Sequence, residues 1–478
     1  MVSAYFRFFP LQPISAELKI KQNHIQRIFW CVLLFAAAVC RWLAGGDPSD
    51  TLKIHMAVAS AIAEGEAWGM QALVGLIEYP PLPTFAVLLA HSIVPDALHP
   101  YLRPQLVLVT IAQVWIANYA ARIVAVQRPS LSPRLAGAGA AFLILIGLQG
   151  TAVDSSYVLM LPAVAAAYHL CKWHREHHIR DFSVVALNGS LLLLCGPVGL
   201  VAALLLIFTM ATSMKSQPEW KSGYRLLLFS PALYVAILFP LANYLIMDRP
   251  LFWLTRGIGR LTVPPVEWPL LCCVTVGGAI AIFGKQPLLR LSGAWLSCSA
   301  AVMTYGAGIF AGQPSAMALP ALLLGLAAFT DTKLKTLARS GSVLAIVACC
   351  YLLGKGDANA AFAHGYPSAA KLIELADRRW AQSRILVHDM RTAAIYRPLI
   401  GDRLVISLSY RQEWTRALIE AEQMHLLVPP DNGQFYGPNG ALAQLHSEGH
   451  QEQWLLLERQ WKNGWQLWRC LRSQPEPR

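Results

Sequence analysis

A few side chains with chemistry in them stand out against a mostly apolar chain. Asp47 lies in Gly45-Gly46-Asp47-Pro48-Ser49-Asp50, where two glycines and a proline set a tight turn. A carboxylate at the edge of a low-dielectric medium binds its proton more tightly than in water and can take a proton from a hydroxyl. Asp47 is therefore the first candidate for a general base. Asp50 is the second, although its place before an apolar helical pattern also suits a helix cap. Asp154, in Thr151-Ala152-Val153-Asp154-Ser155-Ser156, is a third acid set against apolar sequence, as a site residue or a cap. Glu78 precedes Tyr79-Pro80-Pro81-Leu82, a place where a helix N-terminus also favours an acid. Arg249, Arg256 and Arg260 are spaced along one polar stretch, with Phe252 and Trp253 between them. Guanidinium groups bind phosphate in two-point contacts, and the aromatics fit a membrane interface or the face of a sugar ring.

The elements that must position these residues follow from composition. The chain has 478 residues, of which 55% are hydrophobic and 14% charged. Soluble domains average about 25% charged, so a purely soluble protein is excluded. The charge is also uneven: residues 1–356 carry 25 Lys/Arg and 14 Asp/Glu, whereas residues 357–478 carry 14 and 13. The first part reads as a polytopic membrane domain and the second as a water-facing domain. The net charge of +12 is spread between apolar segments rather than gathered in a stripe, which argues against a nucleic-acid partner. Nine of the ten cysteines precede residue 351, mostly inside apolar runs, as small buried hydrophobes. His174, His177 and His178 fall in a basic run that reads as a loop rather than a metal site.

A spanning helix needs about 20 apolar residues. Candidates lie at 25–44, 105–126, 135–151, 155–171, 182–195, 198–214, 226–246, 266–284, 290–311, 314–330 and 340–354. The stretch 81–97 is short and bounded by prolines, so it is expected to lie at the interface or re-enter. If it does not cross, and residues 1–24 are cytoplasmic, 18 of the 25 Lys/Arg of residues 1–356 fall toward the inside against 7 toward the outside. This gives 11 spans, a long first outer loop over 45–104, and residues 357–478 outside. Within that loop Thr51–Gly65 is expected to be a helix lying on the membrane and ending at Gly65. Leu194-Cys195-Gly196-Pro197 breaks an apolar run, and two helices turning at the outer face are expected there. Nine of the 14 acids of the membrane part also fall outside: Asp47, Asp50, Glu64, Glu66, Glu78, Asp96, Asp154, Asp248 and Glu267.

In the last part, strands are expected at 385–388, 404–408, 424–428, 454–458 and 465–471, with helices at 367–380, 411–423 and 438–448 between or before them. A hairpin closes at Lys462-Asn463-Gly464. The pattern is that of a small α/β domain. His388-Asp389 at a strand end reads as a surface pair or an acceptor contact.

Gly-Gly-Asp after the first span, a following helix ending in Glu64-Gly65, and Tyr79-Pro80-Pro81-Leu82 together resemble the first outer loop of the class C (GT-C) membrane glycosyltransferases. That group includes protein O-mannosyltransferases, aminoarabinose transferases, arabinosyltransferases and oligosaccharyltransferases. The resemblance covers roughly residues 25–215. It implies a GT-C-like transmembrane domain over 25–356, before the C-terminal α/β domain of residues 357–478. That last part has no Asn-x-Ser/Thr sequon and only Cys470, which points to a bacterial inner membrane with the α/β domain in the periplasm. It implies a polyprenyl-phosphate-linked sugar as donor and a protein, glycan or lipid hydroxyl as acceptor. Asp47 matches the family's general base, Glu78 and Tyr79 fall at the donor, and Glu78 with Asp154 are where a divalent metal would be held. Asp154 is followed by two serines, whereas oligosaccharyltransferases have Asp-x-Asp, so the metal pattern is incomplete. Leu194 and Cys195 stand where many members carry a basic residue. The rival readings are an O-antigen polymerase or ligase, and a lipid or sugar transporter.

Overall fold

The computed structural model describes residues 50–75, 81–94, 104–127, 156–213, 221–247, 268–283, 286–306, 385–387, 404–406, 425–428, 455–461 and 464–470. Ile28, Val32, Phe35, Ala36 and Val39 are also described, and all five are helical. The helices are α1 (Asp50–Ala63), α2 (Ala67–Gly75), α3 (Pro81–Ile93), α4 (Pro104–Gln127), α5 (Ser156–Glu176), α6 (Ile179–Leu193), α7 (Gly196–Ser213), α8 (Lys221–Met247), α9 (Trp268–Phe283) and α10 (Pro287–Gly306). Each expected span from 105–126 and from 155–171 through 290–311 coincides with one of them. The stretch 81–97 forms the short α3. The spans expected at 135–151, 314–330 and 340–354 lie outside the described residues.

One apolar core joins α1, α3 to α8 and α10. Leu52 and Ala59 of α1, Val87 of α3, Val109, Ile116 and Ile123 of α4, Phe182 and Val185 of α6, and Leu206 and Met210 of α7 meet within it. Trp295 of α10 is buried there and donates its indole N–H to the Ala202 carbonyl at 3.2 Å. The surface is apolar as well. On α8, Leu226, Phe229, Leu233, Tyr234, Ile237, Leu241 and Leu245 are all exposed, and so are Phe85, Leu89 and Ile93 along one face of α3. Contiguous exposed apolar area on this scale is unstable in water and matches a lipid surround. α4 and α8 are each long and apolar enough to cross a bilayer.

The last part of the chain forms a five-stranded sheet in the order β2-β1-β3-β5-β4, with β1 at Ile385–Val387, β2 at Leu404–Ile406, β3 at His425–Val428, β4 at Leu455–Gln460 and β5 at Gln466–Cys470. β2, β1 and β3 are parallel, and β5 is antiparallel to β3 and β4. Every strand overlaps its expected position. The β4–β5 hairpin is closed by Trp461 N–H to Trp465 O at 2.9 Å and Gly464 N–H to Trp461 O at 3.0 Å. A bulge in β4 between Leu457 and Arg459 leaves Glu458 without a register partner. Its carboxylate lies 3.1 Å from the ring of His425, which is buried on β3. Burial holds His425 below the ordinary histidine range; Glu458 pulls it up and Arg469 opposes that pull. The expected helices at 367–380, 411–423 and 438–448, and His388-Asp389, lie outside the described residues.

Candidate functional site

The first loop is built from three helices packed on one another. α1 carries apolar residues at Leu52, Ile54, Val58 and Ala59 and ends in a double reverse turn. Gly65 N–H bonds Ile62 O at 3.1 Å and Glu66 N–H bonds Ala61 O at 2.8 Å, with Gly65 at φ +77°. This is a Schellman cap, and its left-handed residue favours glycine. The cap turns the chain directly into α2, a helix that short apolar patterning did not reveal. α1 is also packed by protein along one face. Leu52, Ile54, His55, Val58, Ala59 and Ala61 are all buried, because α2 and α3 cover it.

His55 is the polar centre of this packing. It is fully buried, and its Nδ1 is 2.8 Å from the hydroxyl of buried Thr84 on α3. α1 has 14 residues and is too short to span a bilayer. Burial pushes the His55 pKa down to about 3, so the ring is neutral at ordinary pH. The contact ties the helix that begins at Asp50 to the helix that follows Glu78 and Tyr79. A histidine within an apolar helical pattern was the sequence signal for it, but its partner 29 positions away could not be read from spacing.

The N-terminus of α3 is occupied by protein. Pro81 and Pro83 have no backbone N–H to offer. The intervening Leu82 N–H donates to Leu194 O at 3.2 Å. That carbonyl belongs to the turn between α6 and α7, where the break expected at Gly196-Pro197 is found. Gly199 fits there because a Cβ would overlap Leu192 O and lie 2.5 Å from Cys195 Cβ. The first turn of α3 is therefore short of free amide donors.

Contacts along α6 and α8 show which segments share an end of the bundle. At the start of α6, Asp181 lies 2.7 Å from His169 and 3.0 Å from Lys172, and Phe182 packs on Tyr224 near the start of α8 with ring centroids 4.9 Å apart. At the other end of α6, Leu194 meets α3. At the other end of α8, Ala242 and Ile246 pack on Leu73 and Val74 of α2. The two helices thus run the same way. The first loop, the α6–α7 turn and the end of α8 gather at one end, and the Lys172–Asp181 loop at the other. The charge-based alternation expects the same grouping.

Of the candidate site residues, Asp50 opens α1 as its first residue. Asp47, Glu78, Tyr79, Asp154, Arg249, Arg256 and Arg260 lie outside the described residues, as do Phe252 and Trp253. The described helices reach their neighbourhoods in sequence: α1 begins three residues after Asp47, α3 begins just past Tyr79, and α8 ends two residues before Arg249. Among the described residues, no group of three or more His, Cys, Asp and Glu is placed to hold a metal ion.

No protein-family profile matches the chain. No curated protein matches it either. Among solved structures, ArnT from Cupriavidus metallidurans in the apo state aligns with 94% of this chain and 100% of its own, at a TM-score of 0.40 and 11% sequence identity. A superposition that loose carries no argument about side chains or activity.

Proposed function

We propose that this chain is a membrane glycosyltransferase that moves a sugar from a polyprenyl phosphate to an acceptor hydroxyl on the outer face of a bacterial inner membrane. The Asp47 carboxylate takes the acceptor proton, the hydroxyl oxygen bonds to the anomeric carbon, and the bond from that carbon to the phosphate oxygen breaks. The polyprenyl phosphate leaves with the electron pair, and Arg249, Arg256 and Arg260 stabilise its charge. Asp50 caps α1 beside the base. Glu78 and Tyr79 contribute to the donor site. A divalent metal, where one is used, is held by Glu78 and Asp154. The C-terminal α/β domain faces the periplasm and meets the acceptor.

The observation that supports this reading best is the convergence of the first loop, the α6–α7 turn and the end of α8 at one end of a lipid-facing bundle. A reaction between a lipid-linked donor and a water-borne acceptor needs a base and phosphate-binding cations together at the membrane edge. The reading is tested by mass spectrometry of envelope glycans and lipids from cells with and without the chain. Loss of one sugar from one acceptor is the expected result. An unchanged sugar inventory, or altered polymer length with every sugar present, would overturn it.

A further inference from the structure

At the end of the bundle away from the first loop, α4 leaves a narrow stripe uncovered. Along 104–123 its exposed positions are Ile111, Trp115 and Arg122. Successive members are four and seven residues apart, so they follow one helix face. From Arg122 to Ile111 the stripe runs about 16 Å along the axis, close to half of a roughly 30 Å hydrocarbon core. Its order is cation, then indole, then aliphatic side chain, in the direction expected from head group toward acyl chain.

Arg122 is held in place without being neutralised. Its Nε donates to Asn118 Oδ1 at 3.1 Å, and its guanidinium lies 5.8 Å from the centre of the Tyr168 ring. Tyr168 in turn packs on Tyr119, with centroids 5.5 Å apart, and Tyr119 on Trp115 at 5.9 Å. The nearby acids are engaged elsewhere: Asp181 by His169 and Lys172, and Glu176 by Lys172 at 3.5 Å. Among the described residues no carboxylate pairs with Arg122. A fixed cation at the edge of the hydrocarbon, with an exposed tryptophan two turns deeper, is complementary to one phosphodiester with an acyl chain below it.

We propose that this stripe of α4 seats one anionic phospholipid, with its phosphate on Arg122 and a chain along Trp115 and Ile111. The site is separate from the donor end and does not depend on the proposed reaction. It fixes α4 against α5 at the depth where the Tyr168 ring supports the guanidinium.

The test uses the full-length protein in detergent, titrated with dioleoylphosphatidylglycerol or dioleoylphosphatidylcholine and followed by native mass spectrometry. Wild type should retain the anionic lipid in preference. Arg122→Gln should weaken retention of the first phosphatidylglycerol about tenfold or more, as expected for losing a charge-assisted contact of about 1.5–3 kcal/mol, with phosphatidylcholine unaffected. Arg122→Lys should recover part of the loss. Equal retention by wild type and Arg122→Gln would overturn the site. A second measurement leaves Arg122 in place. Brominated phosphatidylglycerol should quench wild-type fluorescence more than brominated phosphatidylcholine does, and Trp115→Phe should remove that difference. Equal quenching by the two lipids in wild type would contradict the proposal even if Arg122→Gln did not fold.

Discussion

The ring of His55 and the hydroxyl of Thr84 meet 2.8 Å apart in a fully enclosed contact between α1 and α3. Removing one partner of a buried hydrogen bond costs about 1–3 kcal/mol. Thr84→Val keeps the shape and should lower thermal stability in detergent by that amount, whereas Thr84→Ser should retain most of it. The pH dependence has a definite sign. With a folded pKa of about 3, His55 binds its proton in the unfolded chain well before the folded one. Its contribution is fully present above the unfolded value of about 6.5 and is lost as pH falls toward 3. The stability gap between wild type and His55→Gln should therefore narrow on acidification from pH 7 to pH 5. A gap that widens would mean that His55 is charged in the fold.

Much of the scaffold was legible because its signals are local. Runs of apolar residues marked α4 to α10, short apolar runs between polar stretches marked the strands, and Gly65 and Gly196-Pro197 marked a cap and a turn. What was not legible depends on distant partners. α2 follows α1 after only a short capping turn at Gly65 and Glu66, so the two patterns blur into one. The enclosure of α1 comes from α2 and α3, and hydropathy alone cannot distinguish a lipid neighbour from a protein one. The Leu82–Leu194 bond, which joins the first loop to the α6–α7 turn, is made by backbone atoms that carry no sequence signature.

That turn leads to a second expectation. A methyl group at Gly199 would overlap Leu192 O and Cys195 Cβ, so Gly199→Ala must open the turn and loosen the carbonyl that receives Leu82. A methyl group at Gly223 on α8 would meet no other atom within 4 Å, and alanine there should be neutral or stabilise by about 0.5–1 kcal/mol. Thermal melts should therefore show Gly199→Ala clearly below wild type and Gly223→Ala at or above it. Equal melting temperatures would mean that the turn tolerates the methyl group.

The grouping of helix ends requires the chain after α10 to finish on the same side as the first loop if 11 spans are present. A reporter fused after Gln474 should be active in the periplasm and silent in the cytoplasm. The opposite result would remove an odd number of spans and with them the outer-face reading.

Arg249, Arg256 and Arg260 follow the end of α8, which packs on the first loop. Changing all three to alanine should weaken binding of a polyprenyl-phosphate sugar by tenfold or more, since each charge-assisted contact is worth about 1.5–3 kcal/mol. The fold should be unaffected, as judged by elution and melting. Unchanged donor affinity would move the phosphate elsewhere.

The central claim is that a first-loop carboxylate removes the acceptor proton. The direct measurement is the rate of sugar transfer in membranes containing wild type, Asp47→Asn or Asp50→Asn at matched protein levels. Asparagine keeps the shape of the side chain and removes its basicity. The account predicts that Asp47→Asn slows transfer about 10²–10⁴-fold with little change in donor binding. Asp50→Asn should keep most activity. Near-normal transfer by Asp47→Asn would contradict the account.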